Sequence, residues 1–111
     1  MLVVNRFVVS DEAAFTPRAE AALAALAGRP GFLSGSFGRA VDEPDRWCLV
    51  TLWESVGAYR RALSAFEVKV EATPLLAESL DEPSAYEVLL RADPGGPVTA
   101  STSDRALPSQ T

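Results

Sequence analysis

The chain opens on an apolar run, Leu2-Val3-Val4-Asn5-Arg6-Phe7-Val8-Val9, whose valine content and length predict a first strand over 2–9. A helix is expected over 11–28, because Phe15, Ala19, Ala22, Leu23 and Leu26 recur at three- and four-residue spacing and form one stripe. Ser10 or Thr16 is its expected cap, with Pro17 in the first turn, and Gly28-Arg29-Pro30-Gly31 ends it. Residues 32–41 read as a weaker strand. Gly35 and Gly38 interrupt it, which signals a bulge or the close approach of another backbone. Asp42-Glu43-Pro44-Asp45 is a turn, and 46–54 is the third strand, containing Trp47-Cys48-Leu49-Val50-Thr51-Leu52-Trp53. Ser55 caps a second helix with Val56, Tyr59, Ala62 and Leu63 on one face. A broken helical segment over 65–80 is interrupted by Pro74, and 84–91 reads as the fourth strand.

This order, β-α-β-β-α-β, is the split βαβ pattern of a ferredoxin-like α+β fold: a four-stranded antiparallel sheet with its helices on one face. Large apolar residues fade from Asp93 onward and Pro, Gly, Ser and Thr take over. The chain therefore divides into a folded domain over 1–92 and a flexible tail over 93–111. Side chains alternate along a strand. Val4 and Val8 lie on one side of the first strand and Val3, Phe7 and Val9 on the other. The third strand sets Cys48, Val50 and Leu52 against Trp47, Leu49 and Trp53. Both sheet faces are apolar, and helices cover one of them. A second copy packed sheet to sheet is the expected cover for the other, giving an isologous homodimer and a dimeric α+β barrel.

Composition narrows the chemistry. With 111 residues the chain has room for one domain. A net charge of −5 and the lack of any basic run argue against nucleic acid and anionic membranes as partners. The opening apolar run is broken by Asn5 and Arg6, unlike a signal peptide or a membrane span, so a cytoplasmic protein is expected. Cys48 is the only cysteine, excludes an intrachain disulfide and reads as an inert core thiol. No histidine is present, so imidazole catalysis and a haem or metal held by imidazole are excluded.

Asn5 and Trp53 are the leading candidates for chemistry. The split order makes the first and third strands neighbours, and alternation allows both residues to line one pocket between sheet and helices. Asn5 reads either as a structural amide bonded to nearby backbone or as a functional one. Burying an amide without a partner costs about 1–3 kcal/mol, which adds weight to the second reading. Trp53 either anchors the core at its strand end or offers an indole N–H. Trp47 reads as packing or interface, and Tyr59 and Tyr86 as core positions. Arg6 points to the opposite face, toward the expected partner subunit. Of Arg60 and Arg61, one faces solvent and the other is able to reach an anionic or phenolic ligand.

The stretches Val4-Asn5-Arg6-Phe7, Arg29-Pro30-Gly31-Phe32, Leu52-Trp53-Glu54-Ser55 and Ala58-Tyr59-Arg60-Arg61-Ala62-Leu63 occur in that order. Together they resemble the antibiotic biosynthesis monooxygenase family of dimeric α+β barrels over roughly 2–91, and within it the cofactor-independent anthrone oxygenases of aromatic polyketide pathways. The resemblance implies Asn5 and Trp53 as catalytic residues, with Phe7, Leu49, Thr51, Tyr59 and Arg61 around the substrate. It also implies an aromatic polyketide and O2 as partners, with no metal and no flavin. The chain departs from the pattern at Leu49, where some members carry a second asparagine. The haem-degrading branch is not matched: the positions of its tryptophan and histidine fall at Ala62 and Ala72. A non-catalytic or cyclisation-assisting barrel, or a flavin-dependent ring-modifying relative, stands as the alternative.

Overall fold

A computed structural model of the chain describes residues 1–101. Seven residues, Leu2–Val8, form β1, and Glu12–Ala27 form α1. Phe32–Arg39 (β2) and Arg46–Trp53 (β3) make a hairpin. Val56–Ser64 is α2, followed by the short helices Phe66–Glu71 (α3) and Thr73–Leu76 (α4). Three two-residue strands complete the described chain: Ala85–Tyr86 (β4), Leu90–Arg91 (β5) and Thr99–Ala100 (β6).

The main sheet has the order β2-β3-β1-β4 and every pairing is antiparallel, the ferredoxin-like arrangement that the alternation of elements predicts. Its register places Val3 opposite Thr51, Asn5 opposite Leu49 and Phe7 opposite Trp47. These six residues point toward the helices. Val3, Phe7, Leu49 and Trp53 join Phe15, Ala22 and Leu26 of α1, Ala58 and Ala62 of α2, and Val68, Ala72 and Leu75 of α3–α4 in one core. Alanine on the helices lets their backbones sit close to the large side chains of the sheet.

Local chemistry explains where the elements begin and end, and where the structure departs from the sequence-based expectation. The cap of α1 is Asp11, not Ser10 or Thr16: its carboxylate accepts from the Ala14 N–H at 3.1 Å. The Thr16 hydroxyl instead donates to the Glu12 carbonyl at 2.8 Å, and Pro17 lies inside the helix. Ser55 caps α2 as expected, accepting from the Ala58 N–H at 3.0 Å. The bulge in β2 falls between Phe32 and Ser34. A fourth strand over 84–91 is too long: only Ala85 and Tyr86 pair with β1, and Leu90 and Arg91 leave the sheet to pair with Thr99 and Ala100. The described part of the expected tail thus carries a strand, while 102–111 lie outside the described residues.

The opposite sheet face presents Val4, Val8, Cys48, Val50, Leu52 and Tyr86, with Val8 51% and Tyr86 43% exposed. Cys48, expected in the core, is a partly buried free thiol on this outer face. Arg6 also points outward and forms an ion pair with Glu82 of its own chain at 2.9 Å.

Candidate active site

β1 and β3 deliver the candidate residues because they lie side by side at the sheet centre. The Trp53 end of this pairing is anchored by the backbone: the Met1 ammonium donates to the Trp53 carbonyl, and the Trp53 N–H donates to the Met1 carbonyl, each at 2.9 Å. Asn5 is 7% exposed, and its side-chain amide has no hydrogen-bond partner among the described residues. The expectation of a structural amide bonded to nearby backbone is therefore not met. Neither of its polar atoms is among the fully buried unpartnered ones, so the amide keeps a small contact with solvent and is available to a ligand.

Trp53 is 1% exposed, and two other rings pack against its own. Phe32 packs against it edge-on at 5.2 Å between centroids, and Tyr59 of α2 lies at 5.5 Å. Its indole Nε1–H is already committed, donating to Thr51 Oγ1 at 2.9 Å within the core. Thr51 is itself 2% exposed and stands diagonally across from Asn5, one inward-facing position along β3 from Leu49. Gly35 leaves it room, since a Cβ at that position would come within 3.2 Å of Thr51 Cγ2.

The other predicted residues separate into two groups. Phe7 and Leu49 flank Asn5 on the helix-facing side, and Phe7 belongs to a ring cluster with Phe15 and Phe37 at 5.5 and 6.0 Å. Trp47, read from the sequence as packing, touches the Phe15 ring at 5.4 Å and has a buried Nε1 without a partner. Tyr59 is half-buried, and burial pushes its phenol above the ordinary value. Arg61 is not brought to this group: it is exposed, with its guanidinium folded over Gly57 at the start of α2.

The two main cavities lie away from Asn5. One of about 550 Å³ lies beside the end of β3, lined by Leu33, Leu52, Trp53, Glu54, Val88 and Arg91 among others. A smaller one of about 280 Å³ lies against α1, α3 and α4. Asn5 and Thr51 line neither. Two features were beyond sequence reasoning: the Thr51–Trp53 hydrogen bond and the orphaned Trp47 N–H. The period-2 pattern places Thr51, Trp53 and Trp47 on one face, yet side-chain rotamers decide which of them bond. Among the described residues no three His, Cys, Asp or Glu side chains gather in a way that could hold a metal ion. No helix there is long and apolar enough to cross a membrane.

Residues 1–70 match the family described as antibiotic biosynthesis monooxygenase. The fold resembles that of SnoaB, a cofactor-independent oxygenase from Streptomyces nogalater. The two chains are 27% identical over 96% of this chain and 95% of SnoaB, with a TM-score of 0.63, and a mutant of SnoaB gives 0.64. A conserved protein from Methanosarcina mazei Go1 shares the fold at 19% identity, over 76% of this chain and 84% of its own, with a TM-score of 0.62. No curated protein matches the chain.

Proposed function

The chain belongs to the antibiotic biosynthesis monooxygenase family, and we propose that within it this protein oxidises an anthrone-type polycyclic aromatic polyketide to a quinone with O2, using neither metal nor flavin. One observation carries this reading: a buried carboxamide, Asn5, left without a protein partner on the helix-facing side of the sheet. The likeness to SnoaB, described as a cofactor-independent oxygenase, supports it.

The chemistry asks little of the protein beyond binding and polarity. The central CH2 of an anthrone is acidic because its conjugate base is an aromatic enolate. Asn5 donates its NH2 to the enolate oxygen and so favours that form, an oxyanion-hole role. The enolate passes one electron to O2, and the resulting radical pair joins through a new C–O bond as a hydroperoxide. Loss of water from the hydroperoxide leaves the second carbonyl. One O2 is consumed, and one oxygen atom ends in the quinone and the other in water. The rings of Phe7, Tyr59 and Trp53 supply apolar walls, and Leu49 and Thr51 complete the floor. A tricyclic substrate needs the helical layer to open over the sheet, since Asn5 and Thr51 line neither cavity. α3 and α4 are the shortest helices of that layer, and neither has a side-chain cap. The outer sheet face pairs with a second copy, and the protein works as a homodimer in the cytoplasm.

Oxygen uptake by purified, metal-stripped protein with dithranol, a 1,8-dihydroxyanthrone, tests the reading. Uptake well above the spontaneous rate and lost in Asn5→Ala supports it; uptake at the spontaneous rate overturns it. A second reading, a non-catalytic barrel that binds or shapes a polyketide, draws on Leu49, which is fully buried where some family members carry a second amide. Dithranol binding without oxygen uptake would favour that alternative.

A further inference from the structure

Trp53 carries the indole expected to face the substrate, but its N–H is spent inside the protein. We propose that Thr51, not Trp53, is the second hydrogen-bond donor to the substrate oxygen, and that Trp53 is the positioning residue that aims the Thr51 hydroxyl. This deepens the oxygenase reading above and rests on it for the identity of the oxygen.

A hydroxyl has one hydrogen to give and two lone pairs to receive with. The Thr51 oxygen receives the Trp53 indole N–H at 2.9 Å. Its own hydrogen has no acceptor among the described residues, although the side chain is 2% exposed. Accepting a hydrogen bond polarises the O–H and makes it a better donor, and the effect is strongest in a dry interior. The direction is also constrained. The few χ1 rotamers open to a β-branched residue fix where the oxygen sits, and the indole N–H on one lone pair turns the O–H away from Trp53. Trp53 is a firm anchor for this geometry because it is 1% exposed and the rings of Phe32 and Tyr59 both pack against its own.

Thr51 also stands where a second donor is needed. Asn5 faces Leu49 directly and has Thr51 as a diagonal neighbour on the same sheet face. Such diagonal pairs lie roughly 7–8 Å apart between Cα atoms. Both side chains are short and point the same way, so one oxygen lodged between them receives an N–H from Asn5 and an O–H from Thr51. Two unspent donors on adjacent positions form a small oxyanion site, with the aromatic rings left to hold the rest of the molecule. This arrangement also accounts for Leu49: where the pattern offers a second amide, this chain offers a hydroxyl two residues further along the same strand face.

The test uses the full chain and two probes, dithranol for turnover and 1,8-dihydroxyanthraquinone for binding, the latter because its visible absorption reports the phenolate fraction. Thr51→Val keeps the shape and removes the donor; Thr51→Ser keeps the donor. Near-UV circular dichroism checks that each variant is folded. In Thr51→Val we expect kcat to fall at least about tenfold with KM little changed, and the apparent pKa of the bound dye to rise by about one unit, the same factor of ten. Thr51→Ser restores both, and Trp53→Phe shifts the dye in the same direction by less. A folded Thr51→Val with wild-type kcat and dye pKa overturns the proposal, as does a Thr51→Ser that behaves like Thr51→Val. If the wild type binds the dye but consumes no oxygen, the oxygenase reading falls alone, and the dye pKa in Thr51→Val still decides the role of Thr51. If the wild type fails to bind the dye, both fall.

Discussion

Asn5 shows how much one polar side chain in an apolar run can say. The neighbours Val3 and Phe7 place it on the core side, and the structure finds its amide unpaired there. Its removal should therefore harm activity more than stability: Asn5→Ala is expected to slow dithranol-dependent oxygen uptake at least about tenfold, with the unfolding midpoint held or raised. A large loss of stability together with full specific activity would show the amide to be structural. Tyr59 bears on pH. Burial raises its phenol above the ordinary value near 10, so the folded state holds this proton longer than the unfolded chain does. The associated stability is intact below about pH 10 and is lost as the pH climbs through the raised folded value. Thermal melts from pH 8 to 11 should fall more steeply for the wild type than for Tyr59→Phe; parallel curves would remove Tyr59 as the cause.

Elements here are held at their ends by specific backbone chemistry. Gly31 follows α1 with φ of +88°, and a Cβ at that position would lie 2.5 Å from the Cβ of Ala58 on α2. Gly31→Ala should therefore cost at least ~1 kcal/mol, from the strained φ together with the clash, measured by denaturant unfolding. Asp11→Ala should cost about 1 kcal/mol by the same measurement, since it leaves the first turn of α1 without its acceptor. A Ser10→Ala variant that matched it in cost would return the cap to the residue that the sequence alone suggested.

For the molecule as a whole, the outer sheet face is the unfinished part. Val4, Val8, Val50, Leu52 and Tyr86 line it without cover from any helix. The sheet-to-sheet dimer proposed above predicts that Val50→Glu gives a monomer in sedimentation at concentrations where the wild type is a dimer. A wild-type monomer at those concentrations would end that proposal. The same variant leaves the helix-facing side of β3 intact, so a folded, monomeric Val50→Glu also measures how far activity depends on pairing.

Hydrophobic periodicity was enough to derive the element order and the antiparallel sheet with its helices on one face, and it allowed Asn5 and Trp53 to share a face. Those follow from local alternation and from short connections, which a linear chain carries in full. That the face of Asn5 and Trp53 is the helix-covered one was decided by the tertiary structure. The cap at Asp11 was not legible because Ser10, Asp11 and Thr16 are all cap-forming residues and only the backbone geometry selects one. The short β4 and the separate β5–β6 hairpin were not, because backbone groups of distant residues compete for the same partners. The same holds for the site. Sequence placed Thr51 and Trp53 on one strand face; only tertiary packing, with Phe32 and Tyr59 pressing on the indole, turned the Trp53 N–H toward the Thr51 hydroxyl and left Asn5 without a partner.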